Sequence, residues 1–244
     1  MRLTRVHVDQ PLAPGARVTL HESAGAHLVR VLRLREGDAC VLFNGDGHDY
    51  DARLLSAGKR GVEAEVDAVR VVDNESPLRL LLLQGIARGE KMDLILQKAT
   101  ELGVAAIAPV FADRTEVKLD GERLEKRVAH WRSVVTSACE QSGRARIPSV
   151  LPPRGLAEAA ASLDADALKL TLDPVGEHRF DTLSPSVAGG IVIGIGPEGG
   201  WSEKDRVILR THGFSGLRLG PRVLRTETAG LAAIAALQAR FGDL

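Results

Sequence analysis

Two glycine-bearing turns carry the residues whose types and spacing could do chemistry in this chain. The first, Gly194 to Gly200 (GIGPEGG), follows the β-branched run Ile191 to Ile195. The second, Leu217 to Thr226 (LRLGPRVLRT), precedes a helix-like stretch from Glu227 to Phe241. Gly194, Gly196 and Gly199 satisfy G-x-G-x-x-G between a strand and a helix, a pattern that binds a dinucleotide pyrophosphate in a βαβ unit. Three features count against that chemistry. Pro197 lacks the N–H that a phosphate cradle would use, and Glu198 would repel a pyrophosphate. The acid expected about 20 residues on is missing, since positions 214–219 read FSGLRL. What Gly196, Gly199 and Gly200 do permit is close approach of main chain to a neutral or cationic ligand, because no side chain blocks it.

Such turns need helices and strands to hold them. Ser202, with Asp205 three positions on, can cap the helix after the first turn, and Thr226 can cap the helix after the second. Leu231, Ile234, Leu237 and Phe241 give that last helix an apolar stripe. Upstream, LRLLLLQ (78–84), Val104–Phe111, Ala167–Leu172 and Ile191–Ile195 read as strands. Helix-like segments alternate with them: Met92–Leu102 stopped by Gly103, Arg123–Ala145, and a short alanine-rich piece within Leu151–Asp164. The alternation predicts an α/β domain with a mostly parallel sheet over residues 73–244. The polar linker Asp73–Pro77 sets it apart from residues 1–72. There LTRVHV, ARVTL, HLVRVLRL, ACVLFNG, YDARLLSA and GVEAEVDAVRVV read as short strands of a small all-β barrel or sandwich, with Asn44–Gly47 as a tight turn.

The 32 basic and 32 acidic side chains cancel, so a chain that coats nucleic acid through bulk charge is excluded and any polyanion site must be local. Residues 114–154 hold nine Lys or Arg against five Asp or Glu, the best local candidate. Within them Glu140-Gln141-Ser142-Gly143-Arg144 clusters an acid, an amide, a hydroxyl and a guanidinium at a helix end. His27, Arg30 and Arg33 lie at helical spacing and could present a second, smaller cationic face. Each basic stretch has a plainer reading as a solvated surface. Two cysteines, Cys40 and Cys139, are too few for a disulfide framework or a four-ligand zinc site, which fits a reducing cytoplasm. No apolar run is long enough for a membrane span or a signal h-region, so no export and no membrane anchor are expected.

GPEGGWSEKD followed by LRLGPRVLRTETA resembles the SPOUT superfamily of methyltransferases, and within it the enzymes that methylate N3 of a uridine in the decoding region of 16S ribosomal RNA. The resemblance extends to His27-x-x-Arg30-Val31-Leu32-Arg33, to QKATELGV (97–104) and to Glu140–Arg144 before Pro148. It implies a PUA-like, RNA-binding amino-terminal β-barrel (1–72) and a methyltransferase domain (73–244) with a deep trefoil knot. It further implies a homodimer acting on 16S rRNA, while the near-zero net charge favours an assembled small ribosomal subunit particle as substrate. S-adenosyl-L-methionine would be the cofactor, held by Leu172 of a third loop (172–175), by Gly196, Pro197, Glu198, Gly199 and Gly200 of the first turn, and by Leu217, Leu219, Gly220, Val223, Leu224, Arg225 and Thr228 around the second. RNA contacts would fall to Arg30, Arg33, Arg114, Glu140, Gln141, Arg144 and Arg222.

Methylating a uridine nitrogen requires orientation and removal of its proton, with no metal. Arg225 would stabilise charge developing on the uracil ring, and Glu227 or Glu198 would be the base. Either glutamate could instead orient its loop, and Glu227 could simply favour the helix dipole. The competing classes are a non-catalytic RNA-binding or ribosome-assembly factor, and a SPOUT enzyme modifying another RNA or a ribose 2′-OH.

Overall fold

The computed structural model describes residues 4–58, 61–117, 119–183 and 189–244. They fall into two compact units, Met1–Glu75 with Thr136–Ile147, and Ser76–Val135 with Pro148–Leu244.

In the first unit the strands are β1 (Arg5–His7), β2 (Arg17–Leu20), β3 (Ala39–Phe43), β4 (His48–Gly58) and β5 (Gly61–Val71), with a short helix α1 (Glu22–Ala26). They form one five-stranded sheet in the order β1-β3-β4-β5-β2, antiparallel except for the β1–β3 pair. Alternation drives this arrangement: along β5, Val62, Ala64 and Val66 turn inward to meet Val18, Leu20, Leu42 and Leu54. The register of β4 against β5 shifts twice, after Asp51 and after Leu54, which bends the sheet around that core. Asn44–Gly47 makes the expected tight turn, with Gly45 at φ 91° and Gly47 at φ 96°. The stretch His27–Leu34, expected as a strand, is not one: α1 runs into a wide helical turn over His27–Val31, and residues 32–34 leave it without forming a strand. Leu28, fully buried in the core, is reached from that turn. The Leu34 N–H closes it onto the Leu28 carbonyl at 3.0 Å, with Arg33 in the left-handed conformation (φ 59°) that such a cap requires.

In the second unit, the elements are β6 (Leu80–Gly85), α2 (Glu90–Glu101), β7 (Ala106–Phe111), the start of α3 (Gly121–Ser142), β8 (Ser149–Val150), β9 (Arg154–Gly155), α4 (Leu156–Ala161), β10 (Leu168–Leu172), β11 (His178–Arg179), β12 (Ile191–Ile195), α5 (Glu203–Thr211), β13 (Ser215–Arg218) and α6 (Thr226–Phe241). The eight-stranded sheet has the order β11-β13-β10-β12-β6-β7-β8, with β9 also on β7, and every pair is parallel. Continuous apolar runs fit that position: all of β12 is buried, as is β6 apart from Leu81. The buried face of α6 is built from Ala229, Gly230, Ala233, Ile234, Leu237 and Gln238, while Leu231 and Phe241 of the expected stripe stay half-buried. One consequence of strand order decides the site. β13, β10 and β12 are adjacent and parallel, so the loops that follow them, 219–225, 173–177 and 196–202, emerge at the same edge of the sheet. Among the described residues, no helix is long and apolar enough to cross a membrane.

Candidate active site

These three loops surround a cavity of about 340 Å³. Apolar side chains make much of its wall: Leu172, Ile195, Leu217, Leu219, Val223, Leu224 and Ala229. The main chain of Gly196–Gly200 and Gly220 makes another part, and Asp173, Glu198, Arg206, Arg222 and Arg225 supply charge. A mostly apolar hollow of this size with a few placed polar groups is the usual form of a small-molecule site.

Each loop is held by identifiable bonds. The first opens the helix α5 through a capping box, in which Ser202 Oγ accepts from the Asp205 N–H at 3.1 Å and Asp205 Oδ2 accepts from the Ser202 N–H at 3.0 Å. Gly200 turns back at φ 66°, and a Cβ on Gly196 would stand 3.0 Å from the main chain of both Gly200 and Trp201. The first turn therefore folds on itself as only glycine allows. Arg114 braces it from outside, donating to the Gly199 carbonyl at 2.8 Å. Glu198 accepts from the Arg88 N–H at 3.0 Å and lies 3.4 Å from Lys91 Nζ. Burial pushes its carboxyl up, but these bonds and the Lys91 charge outweigh that and hold it below the usual carboxylate range. Trp201 is buried, and its indole N–H donates to Thr171 Oγ1 at 2.9 Å. The third loop is fastened by Arg206 of α5, which donates to Asp173 at 2.5 Å.

Thr226 departs from the expected cap. It lies inside the first turn of α6, Arg225 is the boundary residue, and no side chain caps the helix. Its hydroxyl donates to the Gly196 carbonyl at 2.6 Å and accepts from Gln84 Nε2 at 3.2 Å. Thr226 thus ties the second loop to the first, and the fully buried Gln84 of β6 fixes the tie. Sequence reading passed over Gln84. A lone amide ending an apolar strand is the signal that could have found it, because a buried amide needs a partner.

Of the residues expected around the cofactor, all but Thr228 line the cavity; Thr228 is exposed on α6 and Glu227 is also outside the wall. One Glu227 carboxylate oxygen is buried without a hydrogen-bond donor among the described residues. Arg222 and Arg225 are exposed at the rim and make no ion pair among the described residues. The residues expected to touch RNA are scattered. Arg30 and Arg33 are exposed in the first unit, and the side chain of His27 lies outside the described residues. Gln141 is exposed, but Glu140 accepts from the His7 N–H at 3.0 Å. Arg144, expected to face RNA, is 5% exposed and paired with Glu75 at 2.5 Å, because its guanidinium closes a buried polar network.

A family model described as an RNA methyltransferase domain matches residues 74–238, and one described as an RNA methyltransferase PUA domain matches residues 22–67. The ribosomal RNA small subunit methyltransferase E of Bacillus subtilis is 31% identical, over 97% of this chain and 94% of its own. A solved structure of the enzyme of that name from Neisseria gonorrhoeae, bound to S-adenosyl methionine, superposes with a TM-score of 0.94 at 43% identity, covering 99% of each chain. A methyltransferase from Legionella pneumophila, solved with bound cofactor SAM, gives 0.95 at 38% identity over 100% of each chain.

Proposed function

The chain belongs to the RNA methyltransferase family, and from that membership we propose that it transfers the methyl group of S-adenosylmethionine to N3 of a uridine in the 16S RNA of the small ribosomal subunit. The observation that carries the reading is the cavity itself, walled by two glycine turns that Thr226 joins through the Gly196 carbonyl.

The residues present fit this donor. An adenine ring suits the apolar wall of Leu172, Leu217, Leu219 and Leu224, and the self-folded turn at Gly196 offers main chain at a distance no side chain would allow. Glu198, kept ionised, contributes negative charge to a site that takes a sulfonium. When bound, S-adenosylmethionine supplies a methyl group on that sulfonium; everything else falls to the chain. Arg225, at the rim, offers planar donors to the carbonyl edge of a uracil and stabilises the negative charge that develops when N3 loses its proton. Glu198 is engaged by Arg88 and Lys91, which makes it an orienting group. Glu227, next to Thr226 at the start of α6, stands outside the cavity wall with one carboxylate oxygen lacking a donor among the described residues, and is kept as the candidate base. Arg222 is left for the RNA backbone. Arg144 serves the first unit through its buried pair with Glu75.

Family membership also supports a trefoil-knotted course for the loops around the cavity and a homodimer with sites near the subunit interface. A monomer in sedimentation experiments would remove the latter. The decisive test incubates unmethylated small subunits with methyl-labelled donor and maps the product by mass spectrometry. N3-methyluridine is expected; label on a ribose or on another base would overturn the assignment.

A further inference from the structure

Beside the donor cavity, and sharing Pro174, Leu219 and Gly220 with it, lies a second cavity of about 620 Å³ lined also by Arg179, Phe180, Asp181 and Arg218. We propose that it seats the nucleotide adjoining the target base, with Arg179 and Arg218 on its phosphate and the Phe180 ring against its base. The inference rests on the RNA methyltransferase reading and adds to it a strand-binding site.

Topology brings the two arginines together. β11 is the outermost strand of the sheet, and its parallel register with β13 sets Arg179 opposite Arg218. Two guanidiniums side by side repel one another unless an anion lies between them, so the pair is suited to a phosphate. Both are exposed. Arg218 makes no ion pair among the described residues, and Arg179 meets only Asp181, a pair exposed at 64% and 67% that solvent leaves weak. Phe180 comes next in the chain. Large aromatic rings are scarce here, five Phe, two Trp and one Tyr, and Phe43, Phe214, Tyr50 and both Trp are buried. Phe180 is half-exposed and lines this cavity instead. A ring so placed is a stacking platform, tolerant of base identity.

The turn that carries it is tied at four points. Thr182 Oγ1 accepts from the Arg179 N–H at 3.0 Å and donates to the Arg179 carbonyl at 2.9 Å. Arg240 of α6 donates to the carbonyls of Asp181 and Leu183 at 3.3 and 3.1 Å. The shared wall gives the route: a strand lying along β11 and β13 passes Leu219 and Gly220 to the donor cavity.

Equilibrium binding of the full-length protein to unmethylated small subunits, without methyl donor, tests this. Arg179→Ala with Arg218→Ala should weaken binding about tenfold and lower the slope of log affinity against log salt by about 1 to 2. Phe180→Ala should cost about fivefold or more, whereas Phe180→Trp should bind as the parent does. Arg210→Ala, which removes one positive charge from α5 where Arg210 pairs with Glu203, should change nothing. Binding by the double variant within twofold of the parent, or an equal loss in the Arg210 control, would overturn the proposal. S-adenosylmethionine affinity should stay unchanged throughout; a parallel loss there would show a damaged fold and refute a separate strand site. If the parent binds subunits but transfers no label to uridine N3, the proposed reaction fails while the strand site is still decided by these affinities.

Discussion

Two groups of arginines, one in each unit, are used in opposite ways. In the first, Arg5 is 8% exposed; it donates to Asp49 at 2.6 Å and to the Cys139 carbonyl at 2.7 Å, and lies 4.4 Å above the Phe43 ring. Asp49 also takes Arg70 at 2.9 Å, and Arg144 closes on Glu75. Arg5 and Arg144 are consumed by the fold, bonded to acids and carbonyls within the unit. In the second unit Arg218, Arg222 and Arg225 stand exposed along one run of chain with no acid partner among the described residues. A buried, saturated guanidinium specifies structure, whereas an exposed one beside a cavity retains its donors for a ligand. Residue type is the same in both places. Environment divides the roles.

That contrast can be broken most forcefully at Asp49. Asp49→Ala leaves Arg5 buried without its carboxylate and should cost about 3–5 kcal/mol of stability, read by urea denaturation. A loss below 1 kcal/mol would mean the network is ornamental. Arg225→Ala should do the reverse, lowering kcat for methyl transfer about a hundredfold while the denaturation midpoint stays put. Normal turnover in single-turnover assays would remove Arg225 from the chemistry. Thr226→Val sharpens the picture of a cavity built by two joined loops. Losing the hydroxyl strands the Gly196 carbonyl and leaves Gln84 Nε2 with only its bond to the Gly85 carbonyl, so donor binding measured by calorimetry should weaken about tenfold. The smallest effect concerns Glu198. Its carboxyl titrates below the ordinary 4.5, so its contribution is complete above that value and disappears as pH falls through the lower folded one. Thermal melts of Glu198→Gln and the parent should differ modestly at pH 7 and begin to converge only as pH falls below 4.5; a gap that widens in acid would contradict the sign.

Much of the fold was legible in the residues because it is local. β12 begins and ends where its β-branched run does, and Ser202 with Asp205 makes the expected cap. The alternation of apolar runs with helical periods gave the parallel sheet, since central strands buried on both faces must be apolar throughout. Where local signals conflicted, the reading failed. His27–Leu34 is apolar enough for a strand, yet α1 and the cap at Arg33 pull it into a helical turn that sinks Leu28 into the core.

The candidate site divides in the same way. Sequence alone determined that two glycine turns flank one short helix, that Pro197 and Glu198 count against a phosphate, and that arginines follow the second turn. Those are properties of short peptides, set by φ, by missing N–H groups and by charge. Only tertiary structure decided which arginines are free, that Thr226 and Gln84 join the loops, and that Arg179 meets Arg218 beside the donor cavity. Partners 30, 142 and 39 positions apart in the chain become neighbours through the order of parallel strands, and no local pattern encodes that order.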